Sequence, residues 1–269
     1  MPVHNLTSMV AITTCAVLTT LIHRPIVGQP APPRDVAGIT LGMPLAEAAK
    51  RLEAYGTLPG WRVDQFKHQI PALGQTFVVA LKARNHRQGD DVGTESIEIE
   101  FAPSPPPAEP VVTKMMRSLN YLAGKERELG VVLDALKERF GTVVYNAMPA
   151  GLPGAILWWY YDGAGRPVTR NEVCLPAASV NFQEGWWRGV QFVDLTKVTE
   201  MGSACGVYAN VNIGALGDRQ LVQTVSMVVS DARTRAARYQ AMAAHENGAA
   251  AAARQKAVDD AAKRKPPTQ

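Results

Sequence analysis

Gly38-Ile-Thr-Leu-Gly-Met-Pro-Leu-Ala-Glu-Ala-Ala-Lys-Arg-Leu-Glu-Ala-Tyr-Gly56 contains a strand, a helix and a helix stop within one stretch. Ile39 and Leu41 alternate with Thr40 and Gly42 as strand residues do, and Pro44 suits a first helical turn, whose N–H groups are unpaired. Apolar residues then recur at helical spacing, at Leu45, Ala48, Ala49, Leu52 and Tyr55. Gly56 is the residue type that ends helices in the left-handed conformation. The stretch therefore predicts a short strand followed by an amphipathic helix.

A second stretch with the same order begins near Gly124. Its helical pattern comprises Leu129, Val132, Leu133, Leu136 and Phe140. Both patterns end in an aromatic residue followed by Gly-Thr, at Tyr55-Gly56-Thr57 and Phe140-Gly141-Thr142. Each ending precedes a turn-rich segment and then a strand pattern. This recurrence predicts a tandem repeat of helix-then-sheet units.

Alternating apolar residues predict several strands. Thr57 to Gly74 is rich in turn residues, whereas Gln75 to Ala83 and Glu95 to Phe101 predict a hairpin. In its second strand Ile97 and Ile99 share one face, and Glu98 and Glu100 the other, which we expect to be solvated. The prolines of Ala102 to Pro110 predict a loop, and Val111 to Leu122 fits either a strand or a helix. Further strand patterns lie at 155–161, 179–182, 187–195, 206–213 and 221–229.

The predicted fold class is α+β: two tandem helix-plus-antiparallel-sheet units, whose strands could form one continuous sheet, and a C-terminal Ala-rich helix. We divide the chain into a signal peptide and linker (1–30), a first unit (31–122), a second unit (123–230) and an Ala/Arg-rich arm (231–269). We expect Asn247-Gly248 to interrupt the helix of the arm. The distal part of the arm has few side chains to bury, so we expect it to be helical but frayed, or disordered.

The apolar run Met9 to Ile22 contains no charged residue. It is shorter than the roughly 20 residues needed to span a bilayer, and it favours a cleaved export signal over an uncleaved anchor or a misassigned start codon. Cys15 lies inside the run rather than at its end, which disfavours a lipid anchor. We therefore expect a periplasmic or secreted protein, with membrane contact only if the segment is uncleaved.

Charge is distributed unevenly. The formal net charge is +4, but residues 31–230 hold nineteen Lys and Arg against twenty Asp and Glu, and residues 231–269 hold eight against four. The body therefore has no basic field that would gather nucleic acid, and we predict no nucleic-acid partner.

Few residues have a pattern that indicates chemistry. Asp64 and His68 have the spacing of one helical turn, but as a lone pair they are typical of a surface pair. Gly202-Ser-Ala-Cys-Gly206 has alanine where a nucleophile would stand, and it reads as a turn. Glu98 and Glu100 have the separation of paired carboxylates, yet alternate acids are ordinary on a solvated strand. The sequence also has no phosphate loop, dinucleotide fingerprint or zinc spacing, so we predict no catalytic residue, cofactor or metal.

Adjacent tryptophans stand out as Trp158-Trp159 and Trp186-Trp187. Successive strand side chains point to opposite faces, so one ring of each pair is expected in the core and the other on the outward face. The outward ring is then either covered by another element or available as a binding surface.

The motif Gly38-Ile-x-Leu-Gly-Met-Pro-x-x-Glu-Ala, with the later Leu136-x-x-x-Phe140-Gly141, resembles a group of exported bacterial proteins. Their halves resemble the small helix-then-sheet domain of β-lactamase-inhibitor protein and of the small outer-membrane-assembly lipoprotein. The resemblance implies helices packed on one face of an antiparallel sheet, and binding rather than catalysis. The chain departs from the lipoprotein because no cysteine is placed to carry a lipid.

Two functional classes follow. The first is an exported, non-enzymatic binding or adaptor protein whose partner is an envelope protein or another macromolecule. The second is a cell-envelope hydrolase whose catalytic residues converge from distant positions and leave no linear motif.

The mature chain would retain two cysteines, and we predict that Cys174 and Cys205 form a disulfide. A metal or thiol site is the alternative, but neither cysteine belongs to a Cys-x-x-Cys motif and no histidine lies between them. In the chain-entropy model the bridge contributes roughly 3 to 4 kcal/mol. Mass spectrometry under non-reducing conditions should find the two peptides linked, and two free thiols in protein isolated from the periplasm would contradict the prediction.

Overall fold

A computed structural model describes residues 34–56, 61–70, 73–85, 92–143, 145–147, 154–168, 206–216 and 221–263. The predicted signal peptide, both cysteines of the predicted disulfide, Trp186, Trp187 and the strand patterns at 179–182 and 187–195 lie outside these residues. The described part is α+β, with three helices, a two-stranded sheet and a large antiparallel sheet, which confirms the predicted fold class.

The main strands of the large sheet are β3 (Arg62–Ile70), β4 (Gln75–Asn85), β5 (Val92–Ala102), β6 (Val111–Tyr121), β8 (Tyr145–Ala147), β9 (Gly154–Tyr160), β10 (Val207–Ala215) and β11 (Leu221–Asp231). They follow the order β3-β4-β5-β6-β11-β10-β9-β8, and every neighbouring pair along it is antiparallel. The two-residue β7 (Arg127–Glu128) also pairs with β11, while β1 (Asp35–Val36) and β2 (Ile39–Thr40) form the small sheet.

The two units are consecutive in sequence and joined in the sheet. The first unit has α1 (Leu45–Tyr55) followed by β3 to β6, and the second has α2 (Leu129–Phe140) followed by β8 to β11. Because β6 pairs with β11, the last strands of both units meet at the middle of one continuous sheet. The third helix, α3 (Ala232–Ala262), follows β11 directly.

The two helix stops differ in backbone conformation. Gly141 ends α2, as predicted, and has a positive φ of 79°, which favours glycine. Gly56 has φ of −81°, so the prediction of a left-handed residue there is wrong. A side chain on Gly56 would instead overlap the Trp61 indole, so glycine is needed because the ring packs against the backbone.

Each of these helix ends also accepts a hydrogen bond from an indole. Trp61 Nε1 donates to the Leu52 carbonyl oxygen at 2.9 Å, and Trp159 Nε1 donates to the Gly141 carbonyl oxygen at 3.1 Å. The last carbonyls of a helix have no partner within it, so both indoles satisfy groups that helix ends expose.

Helices α1 and α2 pack on the same sheet face. The core there includes Ala48 and Leu52 of α1, Phe140 of α2, and Ile97 and Ile99 of β5. From the other strands it takes Leu81, Met115, Leu157, Trp159, Val211, Met227 and Val229. We call this the α1/α2 face, and its apolar composition makes it the main hydrophobic core.

Two other expectations need correction. The turn-rich interpretation of Thr57 to Gly74 is wrong for its middle, because Arg62–Ile70 is β3, an edge strand. Few of the β3 side chains face the core, so charged and polar residues are tolerated there and interrupt the apolar alternation. The expected break at Asn247-Gly248 is also wrong, because α3 runs through both residues as one helix of 31 residues. The high helix propensity of the flanking alanines compensates for one glycine.

The distal part of α3 should contribute little to folding stability. All side chains from residue 251 to 263 are exposed, whereas Tyr239 and Met242 are buried. Ending the chain at Gly248 should therefore change the melting temperature by no more than about two degrees in thermal unfolding. As a control, Leu52→Ala in the core should cost about 2 to 5 kcal/mol in denaturant unfolding. A truncation that costs several degrees would show that the distal helix is docked.

Candidate functional site

Both described tryptophans of the predicted aromatic surface are buried. Trp159 lies in the α1/α2 face with its ring 4.8 Å from that of Phe140, and Trp158 lies on the opposite face, parallel to the Tyr160 ring at 6.0 Å. The expected division of the pair between two faces is thus observed. The ring of Trp158 on the second face is buried, which is the first of the two alternatives that the sequence left open for the outward ring.

The remaining chemical candidates do not converge. Asp64 and His68 lie on β3, where four residues span about 13 Å of strand rather than one helical turn. Asp64 is instead 3.7 Å from Arg84 on the neighbouring strand. Gly202 to Cys205 lies outside the described residues. Within the described ranges, no group of three or more His, Cys, Asp or Glu could hold a metal ion.

The second face of the sheet, which we call the α3 face, is covered in part by the start of α3. This helix contacts β5, β6 and β10. Its buried residues are Ala232, Arg235, Ala236, Tyr239 and Met242. Ala232 belongs to a buried cluster that also contains Trp158, Tyr160 and Tyr208.

Three charged side chains meet beneath α3, and we call them the ion cluster. Glu100 on β5 accepts a hydrogen bond from Lys114 Nζ at 2.6 Å and a second from Arg235 at 3.1 Å. All three side chains are at most 8% exposed. The cluster therefore links two adjacent strands to the helix, in an environment where an unpaired charge would be costly.

The cluster determines its own protonation. Burial alone would raise the pKa of the Glu100 carboxyl, but the Lys114 ammonium and the Arg235 guanidinium outweigh it and lower that pKa. Burial would likewise lower the pKa of Arg235, but Glu100 together with Tyr239 and Tyr208 outweighs it and raises that pKa. Glu100 and Arg235 thus stabilise the charged forms of each other.

The expectation that Glu98 and Glu100 lie on a solvated strand face is wrong. Both are buried, and Glu98 Oε2 is 3.3 Å from Lys82 Nζ. The alternation of β5 was predicted correctly, since Ile97 and Ile99 face the α1/α2 core. The sequence did not reveal that this face is covered, because the covering helix α3 lies far away in the chain. That helix brings Arg235 onto the face.

Beyond the ion cluster, the α3 face presents hydroxyl and amide side chains, which we call the polar surface. Ser96, Ser118, Ser226 and Asn212 form one row, because each is paired in register with the next across β5, β6, β11 and β10. Thr94, Asn120 and Thr224 belong to the neighbouring row. Thr94, Asn120 and Asn212 are exposed, and the others are half-buried.

Hydrogen bonds hold several of these side chains in place. Ser118 and Ser226 are joined through their hydroxyls at 3.0 Å across the β6–β11 junction. Asn120 Nδ2 donates to Thr94 Oγ1 at 2.5 Å, and Asn212 Nδ2 donates to Asn210 Oδ1 at 3.0 Å. The groups are therefore oriented on regular strands rather than on loops, which favours a preformed surface.

The polar surface has the chemistry of recognition. Hydroxyl and carboxamide groups both donate and accept hydrogen bonds near neutral pH, and none of its seven residues titrates there. The nearest charges on the same face, Lys82 and Arg84, are paired with Glu98 and Asp64. The surface can thus bind an uncharged, hydrogen-bonding partner, but its own side chains include no acid, base or activated nucleophile.

Comparisons with known proteins found no matching family model, no matching curated protein and no matching solved structure. None of the described helices is long and apolar enough to cross a membrane.

The ion cluster should make stability depend on pH in the acidic range. A folded-state pKa below the ordinary 4.5 of a glutamate gives Glu100 a stabilising contribution that is complete above pH 4.5 and is lost as the pH falls through the folded-state value. Glu100→Gln should remove this part of the pH dependence. At neutral pH it should also cost about 3 to 5 kcal/mol, because two buried cations then face a neutral amide.

Urea unfolding from pH 7 to pH 3 measures both effects. Glu47→Gln is the matched control, since Glu47 forms a 2.6 Å ion pair with Arg51 but is about half exposed. It should cost less than about 1 kcal/mol. Equal stabilities of Glu100→Gln and the wild type at neutral pH would show that the cluster is not needed to hold α3.

Proposed function

We propose that the protein is a non-enzymatic binding or adaptor module, exported to the periplasm or secreted, that recognises an envelope protein or another macromolecule through the polar surface. The observation that carries the proposal is the row from Ser96 to Asn212, which lies on four central strands of a rigid sheet. Central strands usually have both faces covered when their side chains are apolar. Here the residues beyond α3 are polar and partly exposed instead.

The geometry favours a large partner over a small ligand. Neighbouring strands are about 4.8 Å apart, so the four strands of the row span roughly 14 Å between the outer two, with the outer strands of the sheet beyond them. The side chains are short, which leaves a shallow surface rather than a deep cleft. A partner must therefore supply the larger side chains, while Ser and Asn provide adaptable hydrogen bonds.

Export and the binding class rest on the sequence. The uncharged run at 9–22 supports export, and the resemblance to exported proteins with helix-then-sheet halves supports a role in binding. The alternative of an envelope hydrolase gains no support from the described residues. There, Asp64 and His68 lie on an edge strand at a separation too large for a direct hydrogen bond.

Substitutions that place a large charged group on the polar surface should weaken partner binding. Asn212→Arg changes an exposed position and Ser118→Arg changes the half-buried centre of the row. Val131→Arg is the matched control, because Val131 is 58% exposed on α2, on the other side of the sheet. Each purified protein would be coupled to a resin and incubated with an envelope fraction from its host, and the bound components quantified.

We expect a component that the wild type and Val131→Arg retain equally and that both surface variants bind at least about tenfold less well, a change of about 1.4 kcal/mol. Denaturant unfolding would establish that the variants remain folded, and Asn212→Arg should do so because its side chain is exposed. Equal retention by all four proteins, or retention by none, would contradict the proposed function.

A further inference from the structure

We propose that the outer edge of β3 pairs with the same edge of a second copy of this chain, so that two large sheets join into one. The strand Arg62–Ile70 has nine residues and lies at one end of the sheet. Among the described residues, no strand pairs with its outer side. An edge strand presents backbone N–H and C=O groups along that side, and these can bond to another extended strand.

The edge of β3 is long and regular, whereas edges that resist pairing are often short or bulged. Every residue of β3 has a register partner on β4. The one irregularity lies in β4, because Phe66 pairs with Ala80 and Lys67 with Val78, which leaves the extra residue on β4. The other terminal strand of the described sheet, β8, has only three residues. Of the two edges, β3 therefore has the length that pairing needs.

Three β3 side chains at the middle of this edge lie on the α3 face. Phe66 is paired in register with Ala80, which is itself opposite Glu100 of the ion cluster. The alternation of β3 then places Asp64 and His68 on the same face as Phe66. Asp64 is exposed, and the other two are half-buried. A two-fold axis perpendicular to the sheet keeps each face on its own side, so the α3 faces of both copies would be continuous.

Self-pairing about Phe66 is chemically complementary. With the axis beside this residue, all nine residues of one strand lie opposite the nine of the other. Asp64 of each copy then lies opposite His68 of the other, and an imidazole N–H donates to a carboxylate whether or not the ring is protonated. The two Phe66 rings also lie opposite each other, which is a favourable pair across antiparallel strands. On the other face, Gln65 lies opposite Lys67.

The neighbouring registers are less favourable. Paired residues must share a face, so the axis always passes beside one residue. Beside Lys67 it would set two ammonium groups opposite each other, and beside Gln65 it would set Arg62 opposite His68. Like charges directly opposite each other are destabilising, and both shifts shorten the pairing. The charges of β3 deter pairing with an unrelated edge but suit a second copy in the register about Phe66.

Sedimentation equilibrium of the purified protein tests the pairing without reference to the proposed function. We expect a reversible dimer with a Kd of about 1 to 100 μM, because contact along one strand is small for an interface. His68→Asp should weaken the dimer at least about tenfold, since two pairs of carboxylates would then face each other. His245→Asp makes the same change at an exposed position of α3 and is the matched control, which should leave the Kd unchanged.

A charge exchange shows whether the two positions meet across the axis. Adding Asp64→Lys to His68→Asp should recover most of the lost affinity, because an ammonium then faces each introduced carboxylate. Within one chain the two positions are about 13 Å apart along the strand, beyond the reach of direct pairing, so compensation requires a second chain. The 3.7 Å contact of Asp64 with Arg84 is lost, but both side chains are about half exposed and the cost is small.

Recovery in the double variant would also show that both substitutions leave the strand folded. Three results would each overturn the proposal. They are a protein that remains monomeric up to about 500 μM, a dimer that His68→Asp leaves intact, and a double variant that associates as weakly as His68→Asp alone.

Discussion

The antiparallel pairing of β6 with β11 is the interaction on which the rest of the structure depends. It joins the last strand of each unit. On one side of this junction the strands follow outward from β6 to β3, and on the other side they follow outward from β11 to β8. Its register sets Lys114 opposite Ser230 and Ser118 opposite Ser226. A slip of one residue would send these side chains to the α1/α2 core and expose Met115 and Val229 in their place.

That register separates the two faces by chemistry. Alternation gives the α1/α2 face a mainly apolar surface that two helices bury, with the Glu95–Arg117 ion pair bonded to Tyr55 of α1, and apolar burial is the dominant favourable term in folding. The same alternation gives the α3 face carboxylates, hydroxyls and amides beside the buried aromatic residues Trp158, Tyr160 and Tyr208, and the polar groups are costly to bury without partners. One helix covers the part where charges can pair, and the hydroxyl and amide rows extend beyond it.

The sequence predicted most of the elements on the apolar side. Helices α1 and α2, the hairpin of β4 and β5 and the strands β9, β10 and β11 all have regular apolar periodicity, and the order helix-then-strands recurs. The sequence did not predict β3. This edge strand has exposed side chains at Arg62, Asp64, Gln65 and Lys67, so its pattern resembled a turn. Periodicity identifies elements with one buried face and has less to indicate when an element is mostly solvated.

The candidate site was missed for a different reason. Strand alternation showed that Glu98 and Glu100 share a face, but whether that face is covered depends on a helix 135 residues further along, where Arg235 lies. A signal was present in the arm, because Ala232, Arg235, Ala236, Tyr239 and Met242 recur at helical spacing. With two alanines and an arginine among the five, the stripe resembled a solvated helix.

The composition of that stripe also determines how α3 is held. Ala232 and Ala236 allow a close approach to the sheet, Tyr239 and Met242 supply the large buried side chains, and Arg235 pairs with Glu100. Arg238 donates to Ser104 Oγ at 2.6 Å and to the Glu109 carbonyl oxygen at 3.3 Å, so the helix is also bonded to the segment between β5 and β6. Beyond the helix, the row from Ser96 to Asn212 continues on the same sheet face with half-buried or exposed side chains. The α3 face therefore divides into a part where charges are paired and buried under α3 and a part where hydroxyl and amide groups remain partly exposed.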